Sequence, residues 1–215
     1  MSRGRRDVMV LVASLAVFAV CAVIAADGRV GPIERAAFHA VNGLPDWLYG
    51  SMLAFQYLGV LAMPLVVAVG ALAFRRWRLA AALVLVVPCK LGLERVVKLL
   101  VQRERPGTTV PDVVLRGVHP AGLSFVSGHA IITFAIAGLL ALVLPRRWGV
   151  VAFVLATLNA VARVYLGAHN PLDVVGGAAV GLAIAAVLDL VLDVARDRGG
   201  SRPGRTPPAG EDRAA

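Results

Sequence analysis

Six stretches of this chain stay apolar for about the length of a membrane-crossing helix, and this limits its fold more than any other feature. A helix rises about 1.5 Å per residue and the hydrocarbon of a bilayer is about 30 Å thick, so roughly 20 mostly apolar residues make a span. Residues 8–26, 51–74, 79–97, 127–144, 148–168 and 172–192 approach that length. With 59% hydrophobic and 16% charged residues among 215, and a mean hydropathy of +0.78, the composition lies outside that of a water-soluble domain. The expected fold class is therefore all-α, a bundle of six transmembrane helices.

The formal charge of +9 is explained by topology. The arginines fall in short clusters between apolar runs: Arg3, Arg5 and Arg6; Arg75, Arg76 and Arg78; Arg146 and Arg147; and a tail from Arg196 to Arg213. They form no basic face interleaved with aromatics, so nucleic acid is not an expected partner. Basic loops stay on the cytoplasmic side, and these four clusters alternate with the other loops in a six-helix threading. Both termini are then cytoplasmic in the cell membrane, and residues 27–50, 102–126 and the turn at His169 face outward.

The first apolar run follows three arginines and ends near "AVIAADG", which raises a cleaved signal peptide. Its apolar core is long for a signal, and a retained helix is the favoured reading. "FAVC", ending at Cys21, lacks the small residue of a lipoprotein cleavage site. Cys21 and Cys89 both lie inside apolar runs, which suggests neither a disulfide framework nor a metal cluster. The four histidines show no H-E-x-x-H spacing, so no zinc site is expected. "IERAAFHAVNGLPDWLYG" reads as a short interfacial helix, with Trp47 and Tyr49 suited to the headgroup layer. Residues 1–194 form one membrane domain, and the Gly-, Pro- and charge-rich residues 195–215 read as a disordered tail.

Three clusters of polar residues fall on the outward side of this threading. In "KLLVQRERP", Lys98 and Arg105 are seven residues apart, which on a helix projects both from one side, with Pro106 as its end. The plainer alternative is that Lys98, Arg103 and Arg105 snorkel to lipid phosphates. In "SFVSGHA", Ser127 is placed as an N-cap and Gly128 leaves the following backbone N–H groups open, an anion seat that His129 faces. In "RVYLGAHNPLD", Gly167 can close one helix while Asn170 and Pro171 open the next. His169 then sits at the boundary with Asp173 four residues on, either as its hydrogen-bond acceptor or as a capping carboxylate. A further ladder, Lys90, Glu94 and Lys98, recurs every four residues; facing the bundle interior it neutralises itself and orients Lys98, and a proton path is the sharper alternative.

Together the clusters supply three cations, Lys98, Arg105 and Arg163, with an N-terminal anion seat, two imidazoles and a carboxylate, an inventory for phosphoryl transfer. Imidazole, with a reference pKa of about 6.5, exchanges protons in both directions near neutral pH. At these residues the sequence resembles the type-2 phosphatidic acid phosphatases, which share their site with vanadium-dependent haloperoxidases. The family pattern is Lys, six residues, Arg-Pro; then Pro-Ser-Gly-His; then Ser-Arg, five residues, His, three residues, Asp. It is matched by Lys98 with Arg105-Pro106, by Ser127-Gly128-His129, and by Arg163 with His169 and Asp173. Val126 stands where the family has proline and Ala162 where it has serine, which alters the loop entering the helix and removes a hydroxyl beside Arg163.

The resemblance implies that His169 attacks phosphorus to form a phosphohistidine and that Asp173 fixes its tautomer. It implies that His129 is the general acid for the leaving group and then the base toward water. Lys98, Arg105, Arg163, Ser127 and the Gly128 N–H would hold the phosphate oxygens, with no metal and no cofactor. The expected activity is dephosphorylation of a lipid phosphate or diphosphate at the outer leaflet, undecaprenyl diphosphate first, with phosphatidylglycerol phosphate and phosphatidic acid as competitors. A non-catalytic lipid-phosphate transporter is a rival of another class, and a haloperoxidase a weaker third.

Overall fold

The computed structural model describes residues 3–117 and 121–198, and among them it contains helices and turns but no strand. The helices are α1 (Arg3–Ala25), α2 (Pro32–Asn42), α3 (Tyr49–Gln56), α4 (Met63–Ala73), α5 (Trp77–Leu100), single-turn α6 (Pro106–Thr109), α7 (Gly128–Val143), α8 (Arg146–Tyr165) and α9 (Pro171–Leu192). Short 3-10 turns occupy Asp46–Leu48, Tyr57–Gly59 and Val194–Arg198. The last of these packs Val194 and Ala195 into the interior, so folded chain extends past the expected domain boundary at 194, while residues 199–215 lie outside the described residues.

By length and composition, Gly4–Ala25, Arg146–Tyr165 and Pro171–Leu192 are each apolar enough to cross a bilayer. The second expected span is not one helix. Residues 51–74 divide into α3 and α4, and the pair from Asp46 to Ala73 is bent by 69° at the break. Gly59 lowers the helical preference there, and Pro64, in the first turn of α4, has no N–H to continue a preceding helix. The 24-residue α5 is long enough to cross but carries Lys90, Glu94, Arg95 and Lys98, and α7 is a shorter apolar helix of 16 residues.

Helix α9 is central and largely buried, whereas α1 lies along its flank and is mostly exposed. Small residues decide how closely α9 meets α7. A Cβ on Gly177 would lie 2.6 Å from the Ser127 carbonyl oxygen, and one on Gly181 would collide with the Ile131 carbonyl. One helical turn further, a Cβ on Gly138 would lie 2.8 Å from that of Ala185. Such seams let helix backbones approach where lipid offers no hydrophobic drive for association. The close approach brings the N-termini of α7 and α9 together, and the Ser127 N–H donates to the Asp173 carbonyl at 2.9 Å.

Among the described residues, members of the expected arginine clusters lie at the other end of the bundle. Arg76 donates to the Val143 carbonyl at the C-terminus of α7, the Arg78 backbone N–H donates to Asp197, and Arg6 lines one groove with Asp189 near the end of α9.

Candidate active site

The site is built at the ends of four helices and the loops between them. Its firmest element is Asp173 in the first turn of α9, completely buried. One carboxylate oxygen accepts the Asn170 N–H at 2.7 Å and the Ser124 hydroxyl, and lies 3.6 Å from His169 Nδ1. The other accepts from Arg103 Nη1 at 3.2 Å. The capping reading of Asp173 therefore holds, and the same carboxylate faces the imidazole at a distance slightly beyond a hydrogen bond.

Arg103 is the residue that makes this burial tolerable. Expected to snorkel, its side chain is instead completely buried, with Nη1 and Nη2 on the two carboxylate oxygens of Glu34 at 3.0 and 2.5 Å. Glu34 comes from α2, the expected interfacial helix, and also accepts the Leu172 N–H at 2.9 Å. One guanidinium thus neutralises two buried carboxylates and fastens α2 to the start of α9, an arrangement whose disruption strands charge in a low dielectric.

His169 sits in the turn between α8 and α9, made possible by Gly167 at φ +76, where an added Cβ would press on Val114 and Leu115. Its ring is 3% exposed. Burial, opposed by Asp173 and assisted by the Arg163 and Arg105 charges, pushes its pKa down to about 4. The imidazole is neutral at pH 7, and the carboxylate beside Nδ1 favours the tautomer with its proton there. Nε2 then carries the lone pair, 3.4 Å from Arg105 Nη1.

Arg105 reaches this position by a route the spacing did not indicate. Helix α5 stops at Leu100 and the chain runs extended to Arg105, which precedes α6 rather than ending α5. A residue before proline is disfavoured in the helical region, and Pro106 opens the next turn. Arg105 is aimed by carbonyls, donating to Ala168 at 2.6 Å and to Gly122 at 3.0 Å. Arg163, at the end of α8 and 8% exposed, donates to the Gln56 side chain at 2.5 Å.

Across from His169, Ser127 caps α7 with its hydroxyl buried and without a hydrogen-bond partner among the described residues. His129 follows Gly128 in the first turn and lies within electrostatic reach of Arg163, His169, Lys90 and Glu94. The structure thus draws together His129, His169, Asp173, Arg105, Arg163, Ser127 and Gly128. Lys98 stands differently: its ammonium is 2.7 Å from Glu94, whose other oxygen is 2.6 Å from Lys90. The ladder forms as the spacing indicated, but it is Lys90 and Glu94 that adjoin the anion seat, 2.9 and 2.7 Å from where a Gly128 Cβ would be.

Several of these residues carry little sequence signal. Glu34 and Gln56 belong to none of the clusters, Ser124 lies beside a motif without being part of it, and Arg103 reads as a snorkelling cation of a basic run.

The fold and site define a helical membrane protein with a cationic cup between two imidazoles. Residues 75–194 match the PAP2 superfamily, and the chain belongs to that family. It is 37% identical over 94 residues to a decaprenylphosphoryl-5-phosphoribose phosphatase of Mycobacterium tuberculosis, covering 43% of this chain and 50% of that protein. It is 31% identical over 138 residues to an undecaprenyl-diphosphatase of Sulfolobus acidocaldarius, covering 64% of each. Among solved structures, the PAP2-type phosphatidylglycerolphosphate phosphatase of Bacillus subtilis superposes with a TM-score of 0.66 at 25% identity, covering 83% of this chain and 94% of that one.

Proposed function

We propose that this protein is a metal-independent lipid phosphatase that dephosphorylates a membrane lipid phosphate or diphosphate. Polyprenyl diphosphates of the undecaprenyl class are the first candidates, in line with the polyprenyl-linked substrates named for two of the relatives. The observation that carries the reading is His169: a neutral, buried imidazole with a carboxylate behind Nδ1 and a guanidinium beside Nε2, opening toward the N-terminus of α7.

In the first step His169 Nε2 forms a bond to phosphorus while the bond to the lipid or diphosphate oxygen breaks, and His129 gives that oxygen a proton. In the second, water attacks the phosphohistidine, His129 takes a proton from it, and inorganic phosphate leaves with His169 restored. Arg105, Arg163, Ser127 and the α7 backbone donors stabilise the charge on the transferring group, while Lys98, paired with Glu94, leaves the Lys90–Glu94–Lys98 ladder with one net positive charge near the α7 N-terminus. These groups supply the positive charge that a metal supplies in other phosphoryl transfers.

The six-span threading is part of the same proposal, with α5, α7 and the broken α3–α4 pair joining the three long apolar helices. The arginine-bearing end of the bundle is then cytoplasmic and the site opens at the outer leaflet of the cell membrane. The headgroup reaches the cup while its chains remain in the bilayer. Phosphate release from a panel of polyprenyl diphosphates, phosphatidylglycerol phosphate and phosphatidic acid, in detergent with a chelator present, tests the activity. Release that persists with the chelator and disappears in His169→Ala is the expected result; an active His169→Ala enzyme ends the assignment.

A further inference from the structure

None of the three motifs draws on the α3–α4 segment, yet the break between those helices enters the site. Helix α3 ends at Gln56, the turn Tyr57–Gly59 follows, and α4 resumes at Met63. Two features of the break touch the machinery described above. The Gln56 side-chain oxygen accepts from Arg163 Nη1 at 2.5 Å. Gly59 lies directly on His129: an added Cβ would stand 2.6 Å from its Cβ, 2.8 Å from its Cδ2 and 2.9 Å from its Cα. Two of those atoms are fixed by the α7 backbone, so no side-chain rotation relieves the overlap.

The break is itself held in place from both sides. Asn159 of α8, completely buried, donates to the Phe55 and Gln56 carbonyls at 2.9 and 3.1 Å, two of the acceptors that an ending helix leaves unpaired. Thr133, one turn beyond His129, donates to the His129 carbonyl at 3.1 Å and lies 3.4 Å from the Asn159 side-chain oxygen. A chain of contacts therefore runs from α7 through α8 to the break and back to His129 and Arg163.

Building on the phosphatase reading above, we propose that this interrupted span is a positioning element of the active site. Gly59 seats the His129 imidazole at the angle from which it protonates the leaving oxygen, and Gln56 fixes the Arg163 guanidinium for the phosphoryl group. The two parts have different chemical signatures. As the phosphorus–oxygen bond breaks, a proton passes from His129 to the departing oxygen, which matters greatly for an alkoxide and little for a nitrophenoxide that leaves unaided. A misplaced guanidinium weakens the hold on every phosphate ester alike.

The test uses the full chain in detergent with two probes, dioleoyl phosphatidic acid and p-nitrophenyl phosphate. Gly59→Ala is expected to lower kcat on phosphatidic acid about 100-fold, the scale of lost general-acid assistance, while p-nitrophenyl phosphate changes only a few-fold. Gln56→Leu is expected to raise KM for phosphatidic acid about tenfold with kcat little changed, as loss of one hydrogen bond to a charged group implies, and Gln56→Glu, which keeps the acceptor but sets an anion beside the phosphate site, to raise it at least as much. Equal slowing of both probes by Gly59→Ala, or an unchanged KM in Gln56→Leu, overturns the inference and leaves the phosphatase reading standing. If Gly59→Ala does not fold, the Gln56 pair decides alone. A wild-type chain that releases phosphate from neither probe nor from any lipid of the panel removes the phosphatase reading, and this inference with it.

Discussion

The two imidazoles of the site are held by opposite means. His169 is backed by charge: Asp173 accepts from Asn170, Ser124 and Arg103, and Arg103 is itself spanned by Glu34. His129 is held by shape, wedged between the start of α7 and Gly59, beside a buried Ser127 hydroxyl and an Arg163 Nε that meet no hydrogen-bond partner among the described residues. The proposed nucleophile thus sits against a network of paired buried charges, and the proposed acid in a steric seat, although on both sides a buried nitrogen, His169 Nδ1 and Arg163 Nε, meets no hydrogen-bond partner among the described residues. Breaking the network strands charge, whereas truncating the His129 imidazole removes a proton donor and leaves every buried charge paired as before.

That contrast orders the expected effects. His169→Ala should abolish phosphate release while the helical signal in circular dichroism is retained. Arg103→Met, which leaves Asp173 and Glu34 buried without their cation, should cost about 3–5 kcal/mol of stability, read as a large fall in thermal unfolding temperature in detergent. His129→Ala should keep the wild-type unfolding temperature and lose about 100-fold or more on alkyl phosphate esters. If Arg103→Met proved as stable as wild type, the network would not be the support described here.

A smaller effect follows from pH. The unfolded chain takes up the His169 proton at a pH of about 6.5, whereas the folded chain resists it down to about 4. Between these values the unfolded state binds more protons, so stability is unaffected by this group above the upper value and declines as pH falls toward the lower one. Unfolding temperatures at pH 7 and pH 5 should therefore differ more in the wild type than in His169→Asn. The smallest effect is expected at a departure from the family pattern. Ala162 is completely buried and packs with Met52, Tyr165 and Leu166, so Ala162→Ser should cost about 1 kcal/mol for a hydroxyl placed among apolar side chains, with turnover nearly unchanged.

The regions that the sequence made legible are those governed by local rules. Long apolar runs gave α1, α8 and α9 close to their observed bounds, and the Gly167, Asn170 and Pro171 signals marked the turn that carries His169. The motif residues came together because the α7–α9 glycine seam leaves their helix starts little choice of placement. What escaped notice depends on partners far apart in the chain. Arg103 reads as a surface cation until Glu34, 69 residues earlier, is placed beside it. Gly59 carries no local signal of its role in an apolar run, because only the three-dimensional structure puts His129 against it. For Arg105 the seven-residue spacing from Lys98 points to a helix, while the proline after it favours the extended approach observed.

The division of labour between the two imidazoles can be read in one labelling experiment. Protein incubated with a lipid phosphate carrying radioactive phosphorus is quenched in denaturant and assayed for label that survives base but not acid, the behaviour of a phosphohistidine. The account predicts transient label in the wild type, none in His169→Ala, and label persisting in His129→Ala, in which the base toward water is missing. Label that survives in His169→Ala would contradict it.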